Sequence, residues 1–156
     1  MKIIVDSNIV FSAILNTKSK IGQLIINGSK YFKFFTIGLL KEEILNHVDK
    51  IISITGFSDE QFNETFQLIT KRITFAEDIL LNDSDLQKAK HLVNEIDPDD
   101  MLFVALTNHL SGILWTGDKK LITGLRRKGY SKVINTDELF EVYITNQINL
   151  PRKNKR

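Results

Sequence analysis

Asp6, Glu43, Asp100 and Asp118 are four acids from widely separated segments, each placed where folding could bring it to a shared site. Asp6 directly follows the apolar run Lys2–Val5, and Asp118 follows Ile113–Thr116 after a single glycine. Either aspartate alone reads as readily as a helix cap; two of them after separate strands point to a site. Glu43 falls on one helical stripe with Leu40, Ile44 and His47, so an inward-facing carboxylate is expected, costly unless paired or metal-bound. In Asp97-Pro98-Asp99-Asp100 the first residue suits an N-cap, the proline the first helical position, and the next two acids the helix dipole. Asp100 also shares a face with Phe103, Val104 and Thr107, which aims it at the interior. Four carboxylates on one rim repel by about 3 kcal/mol per pair at roughly 5 Å and an effective dielectric near 20. Protons or a hard divalent cation must offset that. An all-oxygen donor set suits Mg²⁺ or Mn²⁺ better than Zn²⁺. The chemistry such a set favours is in-line attack of water on phosphorus.

These acids need a scaffold that turns strand ends into one rim. Lys2–Val5, Lys33–Ile37, Ile113–Thr116 and Lys132–Asn135 read as buried strands, rich in β-branched and aromatic residues. Helical spacing marks a helix from Ser7 or Asn8 onward and another over Ile21–Asn27, ended by Gly28. A long helix is expected from Leu39 to about Ile52. Ser58 with Gln61, and Ser84 with Gln87, read as capping boxes opening two more. Another runs from Pro98 to about Leu110, and one from about Lys119 to Lys128 is closed by Gly129. The last is capped by Thr136. Strands separated by helices predict an α/β domain, three layers deep, around a mainly parallel sheet of Rossmann type. In such sheets ligands sit outside the carboxyl ends of the strands, where strand order reverses.

The chain has 156 residues, is 42% hydrophobic and contains no cysteine. One domain over residues 1–150 is expected, without disulfides, thiolate metal sites or cysteine nucleophiles. No apolar stretch suits a signal peptide or a membrane span, so a cytoplasmic protein is expected. The net charge of +2 conceals an asymmetry: residues 151–156 hold four of the 21 basic groups, leaving 17 against 19 acids elsewhere. That basic tail can reach nucleic acid, although a solubilising terminus is the commoner use. Phosphate-cradling glycine motifs are missing: there is no Gly-x-Gly and no Gly-Lys-Ser/Thr. A dehalogenase-like phosphatase would need an aspartate at position 8, which is Asn8, and Glu43 and Asp118 fit a phospho-receiver domain poorly. His47, His91 and His109 lack metal-ligand spacing and read as ordinary helix residues.

The sequence resembles the PIN-domain nucleases, in particular the group regarded as toxins of toxin–antitoxin modules. The resemblance runs from about residue 1 to 140. It is carried by Ile4-Val5-Asp6-Ser7-Asn8-Ile9-Val10, by Leu40-Lys41-Glu42-Glu43-Ile44, by Asp97 through Leu106, and by Trp115-Thr116-Gly117-Asp118-Lys119-Lys120-Leu121. Each segment is weakly specific; their order and spacing together are specific. The resemblance implies a PIN-like fold and a Mg²⁺- or Mn²⁺-dependent endoribonuclease. It implies Asp6, Glu43, Asp100 and Asp118 as metal-binding, catalytic acids, with Asn8 and Thr116 supporting the site and Asp97 second-tier. RNA is the implied substrate, and a cognate antitoxin and a homodimer are the implied protein partners. Where many members carry a further acid two residues after the last one, this chain has Lys120, which bears on one metal against two. The alternative reading is a PIN fold that binds RNA or a partner protein without cutting.

Overall fold

The structure, a computed structural model, describes residues 1–77, 81–96 and 98–150. Five strands form one sheet: β1 (Lys2–Val5), β2 (Lys33–Ile37), β3 (Ile73–Ala76), β4 (Ile113–Trp115) and β5 (Val133–Ile134). Their order is β3-β2-β1-β4-β5 and every pairing is parallel. The central strand β1 registers Ile4 against both Phe35 and Leu114. Its last three residues, Ile3, Ile4 and Val5, are all fully buried, as a parallel strand covered on both faces requires.

Helices cover both faces. On one lie α1 (Ser7–Leu15), α2 (Lys20–Gly28), α3 (Leu39–Asn46), α4 (Val48–Thr55), α5 (Asp59–Thr70) and α9 (Thr136–Ile148); on the other lie α6 (Asp83–Val93), α7 (Met101–Leu110) and α8 (Lys119–Arg127). Helix α2 packs against α1, α5 and α9, whereas α7 lies across β1, β2 and β4 with α6 behind it. The result is the expected three-layer α/β/α architecture. The chain builds outward from β1 to β3, then returns to the other side of β1 for β4 and β5. Strand order therefore reverses between β1 and β4, the place where such folds open a binding crevice.

The differences from expectation are local and have identifiable causes. Strand β3 is additional; it is a short edge strand with Thr74 exposed, so it lacks the continuous apolar run that marks β1. The helix expected from Leu39 to Ile52 is two helices broken at His47. There the imidazole Nδ1 lies 2.8 Å from the Glu43 carbonyl, competing for a helical acceptor, and the His47 amide donates to Ile44 instead. The capping box at Ser58 and Gln61 forms in both directions. The one expected at Ser84 does not: Asn82 caps α6 through its side-chain oxygen, which accepts from the Asp85 amide. Asn135 likewise caps α9 in place of Thr136, whose hydroxyl accepts from the Trp115 indole at 3.1 Å. Gly28 is the last residue of α2 rather than a left-handed cap, whereas Gly129 does close α8 at φ +80°. Residues Pro98–Asp100 form a 3-10 turn before α7. The expected cap, Asp97, lies outside the described residues, as does the basic tail.

Candidate functional site

Asp6 is the first residue after β1 and occupies the N-cap position of α1, yet its side chain makes no capping bond. It is 3% exposed. Its Oδ2 accepts a 2.6 Å hydrogen bond from Thr116 Oγ1, at the end of β4, and Ser7 Oγ donates to Oδ1 at 3.3 Å. Burial pushes the Asp6 carboxyl above its ordinary range, the hydroxyl bonds pull it back, and the nearby Asp118 charge raises it further. Asp6 is thus a buried acid whose charged form is only partly supported by the protein.

Thr116 Oγ1 also accepts from the Asp118 backbone amide at 3.1 Å, so one fully buried hydroxyl ties the two acids together across the reversal point. Asp118 does cap its helix: Oδ1 accepts from the Lys120 and Leu121 amides at 2.9 and 3.1 Å. Among the described residues its Oδ2 takes no hydrogen bond. A cap and a ligand are therefore compatible here, one oxygen for each. The N-termini of α1 and α8 both face this spot and favour negative charge there.

Asp100 stands half-buried at the N-terminal end of α7. Helix α7 is about 15 Å long and hands over to the start of β4 through Ser111 and Gly112, so its N-terminus reaches back to the carboxyl edge of the sheet. Glu43 differs from expectation. Helix α3 buries Leu40 and Ile44, but Glu43 flanks that stripe and is exposed. It lines an open cleft of about 320 Å³ together with Asn8, the exposed second residue of α1. The acids fall into a tight pair, Asp6 and Asp118, with Asp100 at the same edge and Glu43 across a cleft. Among the described residues no three acids or histidines are gathered closely enough to enclose a metal ion.

The pair nonetheless fits a hard cation. Mg²⁺ is commonly held by one or two carboxylates, its other positions being left to water and substrate phosphate. Carboxylate and hydroxyl oxygens are the donors present, and Asp6 is a buried acid whose charge a cation would offset. Lys120 is exposed, and its backbone amide serves the Asp118 cap.

Two polar residues escaped sequence reasoning. Ser7 enters the sequence reading only as a start of the first helix, but its hydroxyl serves Asp6. Thr36 is fully buried in β2 and donates to the Val5 carbonyl at 2.8 Å, bracing the backbone just before Asp6. A lone hydroxyl inside Lys33-Phe34-Phe35-Thr36-Ile37 was the available signal.

The comparison with curated proteins finds no match. A family model described as the PIN domain matches residues 4–143, from β1 into α9. That span carries β2 to β5, the end of β1 and the four acids, and by it the chain belongs to the PIN-domain family.

Proposed function

We propose that this chain is a metal-dependent ribonuclease that hydrolyses phosphodiester bonds in RNA. PIN domains are generally nucleases. The observation that carries the reading is the buried Asp6 carboxylate joined through Thr116 to Asp118 where strand order reverses. In this reading Asp6 and Asp118 would hold Mg²⁺ or Mn²⁺, and Asp100 and Glu43 would be the further carboxylates drawn toward it when RNA binds. Such an ion polarises a phosphoryl oxygen and lowers the pKa of bound water. Thr116 holds Asp6 in place through Oδ2, and Oδ1, held only by the longer bond from Ser7, would be the oxygen offered to the ion. Asn8, exposed at the cleft, offers an amide to the ribose or phosphate beside the cut, and Asp97 is a supporting acid. Residues 1–150 form the nuclease unit, and the basic tail 151–156 adds affinity for phosphates.

The biological setting belongs to the same proposal. The chain acts as the toxin of a toxin–antitoxin pair in the cytoplasm, held by a cognate antitoxin and working as a homodimer. No helix among the described residues is long and apolar enough to cross a membrane. The second reading is a PIN fold that binds RNA or a partner without cutting. It is favoured by the lack, among the described residues, of a three-acid cluster. Incubation of a mixed RNA pool with the protein and Mn²⁺ separates the two. Cleavage by the wild type and none by folded Asp6→Asn is the expected result, while intact RNA in the presence of bound protein selects the second reading.

A further inference from the structure

The cleft between α1 and α4 has a chemistry that the carboxylates do not account for. Its inner wall is apolar and includes Ile54, which is 61% exposed. Two rings meet in it: Phe11 and His47 stand edge to face, with centroids 5.9 Å apart and planes at 86°. Both rings line the cleft, so it offers aromatic surface to a planar ligand. His47 Nδ1 lies 2.8 Å from the Glu43 carbonyl. A carbonyl only accepts, so Nδ1 donates and Nε2 is left for a ligand. The rim adds the Asn8 amide, which both donates and accepts, and the Lys50 ammonium.

An apolar wall, an aromatic pair, mixed donors and acceptors and one cation match the parts of a nucleotide: π-face, base edge and phosphate. Single-stranded RNA is recognised in this way, by stacking unpaired bases on rings and bonding their edges. We propose that this cleft is a nucleobase subsite, which takes one unpaired base of the RNA strand next to the bond being cut. Its rim carries Asn8 and Glu43, two residues also given to the proposed metal site, so the base would sit on the Glu43 side of that site. The proposal rests on the ribonuclease reading. At about 320 Å³ the cleft lies at the lower end of the range of small-ligand pockets, a size that suits a single base.

The test has two arms, one of them independent of cleavage. In the first, wild-type protein and Mn²⁺ cut a randomised RNA pool, and the cut positions are mapped by sequencing. A preference for one base at a fixed position beside the cut is expected. Phe11→Leu and His47→Gln should lower that preference roughly fivefold to a hundredfold, with KM changing more than kcat. His47 is exposed, so His47→Gln keeps the test usable if Phe11→Leu fails to fold. Unchanged preference in folded His47→Gln overturns the subsite while leaving the nuclease reading intact. In the second arm, the four nucleoside monophosphates are titrated into metal-free wild type, and the Phe11 and His47 ring resonances are followed by NMR. Movement of both rings by at least one nucleotide supports the subsite even if no RNA is cut. Unmoved rings at about 10 mM nucleotide, tenfold above a weak millimolar affinity, overturn it and leave the apolar wall to a protein partner.

Discussion

The two flanks of the candidate site are built in opposite ways. Asp6, Thr116 and Asp118 hang from the ends of two central strands, and Thr116 and Asp6 are buried with their oxygens committed to one another. Glu43, Asn8 and His47 stand on helix surfaces, exposed, around a cleft whose far wall is itself interrupted at His47. The sheet fixes the first flank before any ligand arrives. The second has room to adapt, because exposed side chains lose little by changing rotamer. The difference teaches a division of labour: the strand ends suit the chemistry, which needs fixed geometry, and the helices suit the substrate, which varies.

The largest effect should come from the buried flank. Asp6→Asn should reduce RNA hydrolysis by more than about a hundredfold, since even groups that only orient metal ligands are worth 10–100-fold. The protein should stay folded by circular dichroism, because the change removes charge and little volume. Asp118→Asn should match it in activity while keeping α8 capped, asparagine being as good an N-cap as aspartate. Unchanged turnover in a folded Asp6→Asn variant would erase the distinction between the flanks.

Thr116→Val comes next. It deprives Asp6 Oδ2 of a donor and the Asp118 amide of an acceptor, both at a buried position. A loss of about 1–3 kcal/mol is expected, which lowers Tm by several degrees in a domain of this size. Activity should fall 10–100-fold as well. A stable, active Thr116→Val would mean that the buried tie positions nothing.

Glu43→Gln should cost about tenfold in activity, less than a fixed ligand's hundredfold-class effect, whereas Glu42→Gln should cost almost nothing. Both residues are exposed, so neither change should shift stability by more than about 0.5 kcal/mol. Equal activities would place Glu43 outside the site and shrink it to the buried flank.

The smallest effects concern charge alone. Mn²⁺ at ten times its dissociation constant should add about 1.4 kcal/mol, or about 3–6 °C in a thermal scan against EDTA. Asp6→Asn should remove most of that increment. The pH dependence of the metal-free protein follows from the raised Asp6 carboxyl. The neutral acid is favoured by the fold, so its contribution is complete below the unfolded value of 3.8 and is lost as pH rises through the folded one. Urea titrations should therefore show wild type losing stability over that interval relative to Asp6→Asn. Parallel curves would show that burial does not perturb the acid.

The same division explains what could be read from the sequence. Strand ends are local signals: an apolar run that stops at an acid shows both the element and the residue that leaves it, so the placement of Asp6 and Asp118 at strand ends was legible, as was the layered sheet. Thr116 was named only through family resemblance, because no spacing rule shows that it bonds both acids. Helical phase is a weaker guide. Glu43 looked inward on the stripe of Leu40 and Ile44, yet it flanks that stripe. The His47 break depends on one imidazole's choice of acceptor, which has no periodicity to betray it. Strand β3 stayed hidden because an edge strand needs only half a hydrophobic pattern.

The hydrogen bond between Thr116 and Asp6 joins residues 110 positions apart. A ribosome adding 5–20 residues per second makes the second of them roughly 5–20 s after the first. Strand β1 emerges early, but its neighbour β4 and the hydroxyl that holds Asp6 arrive only when most of the chain exists. A growing chain therefore carries its acids without their geometry. A site assembled in this order is complete only when synthesis of the chain is nearly over.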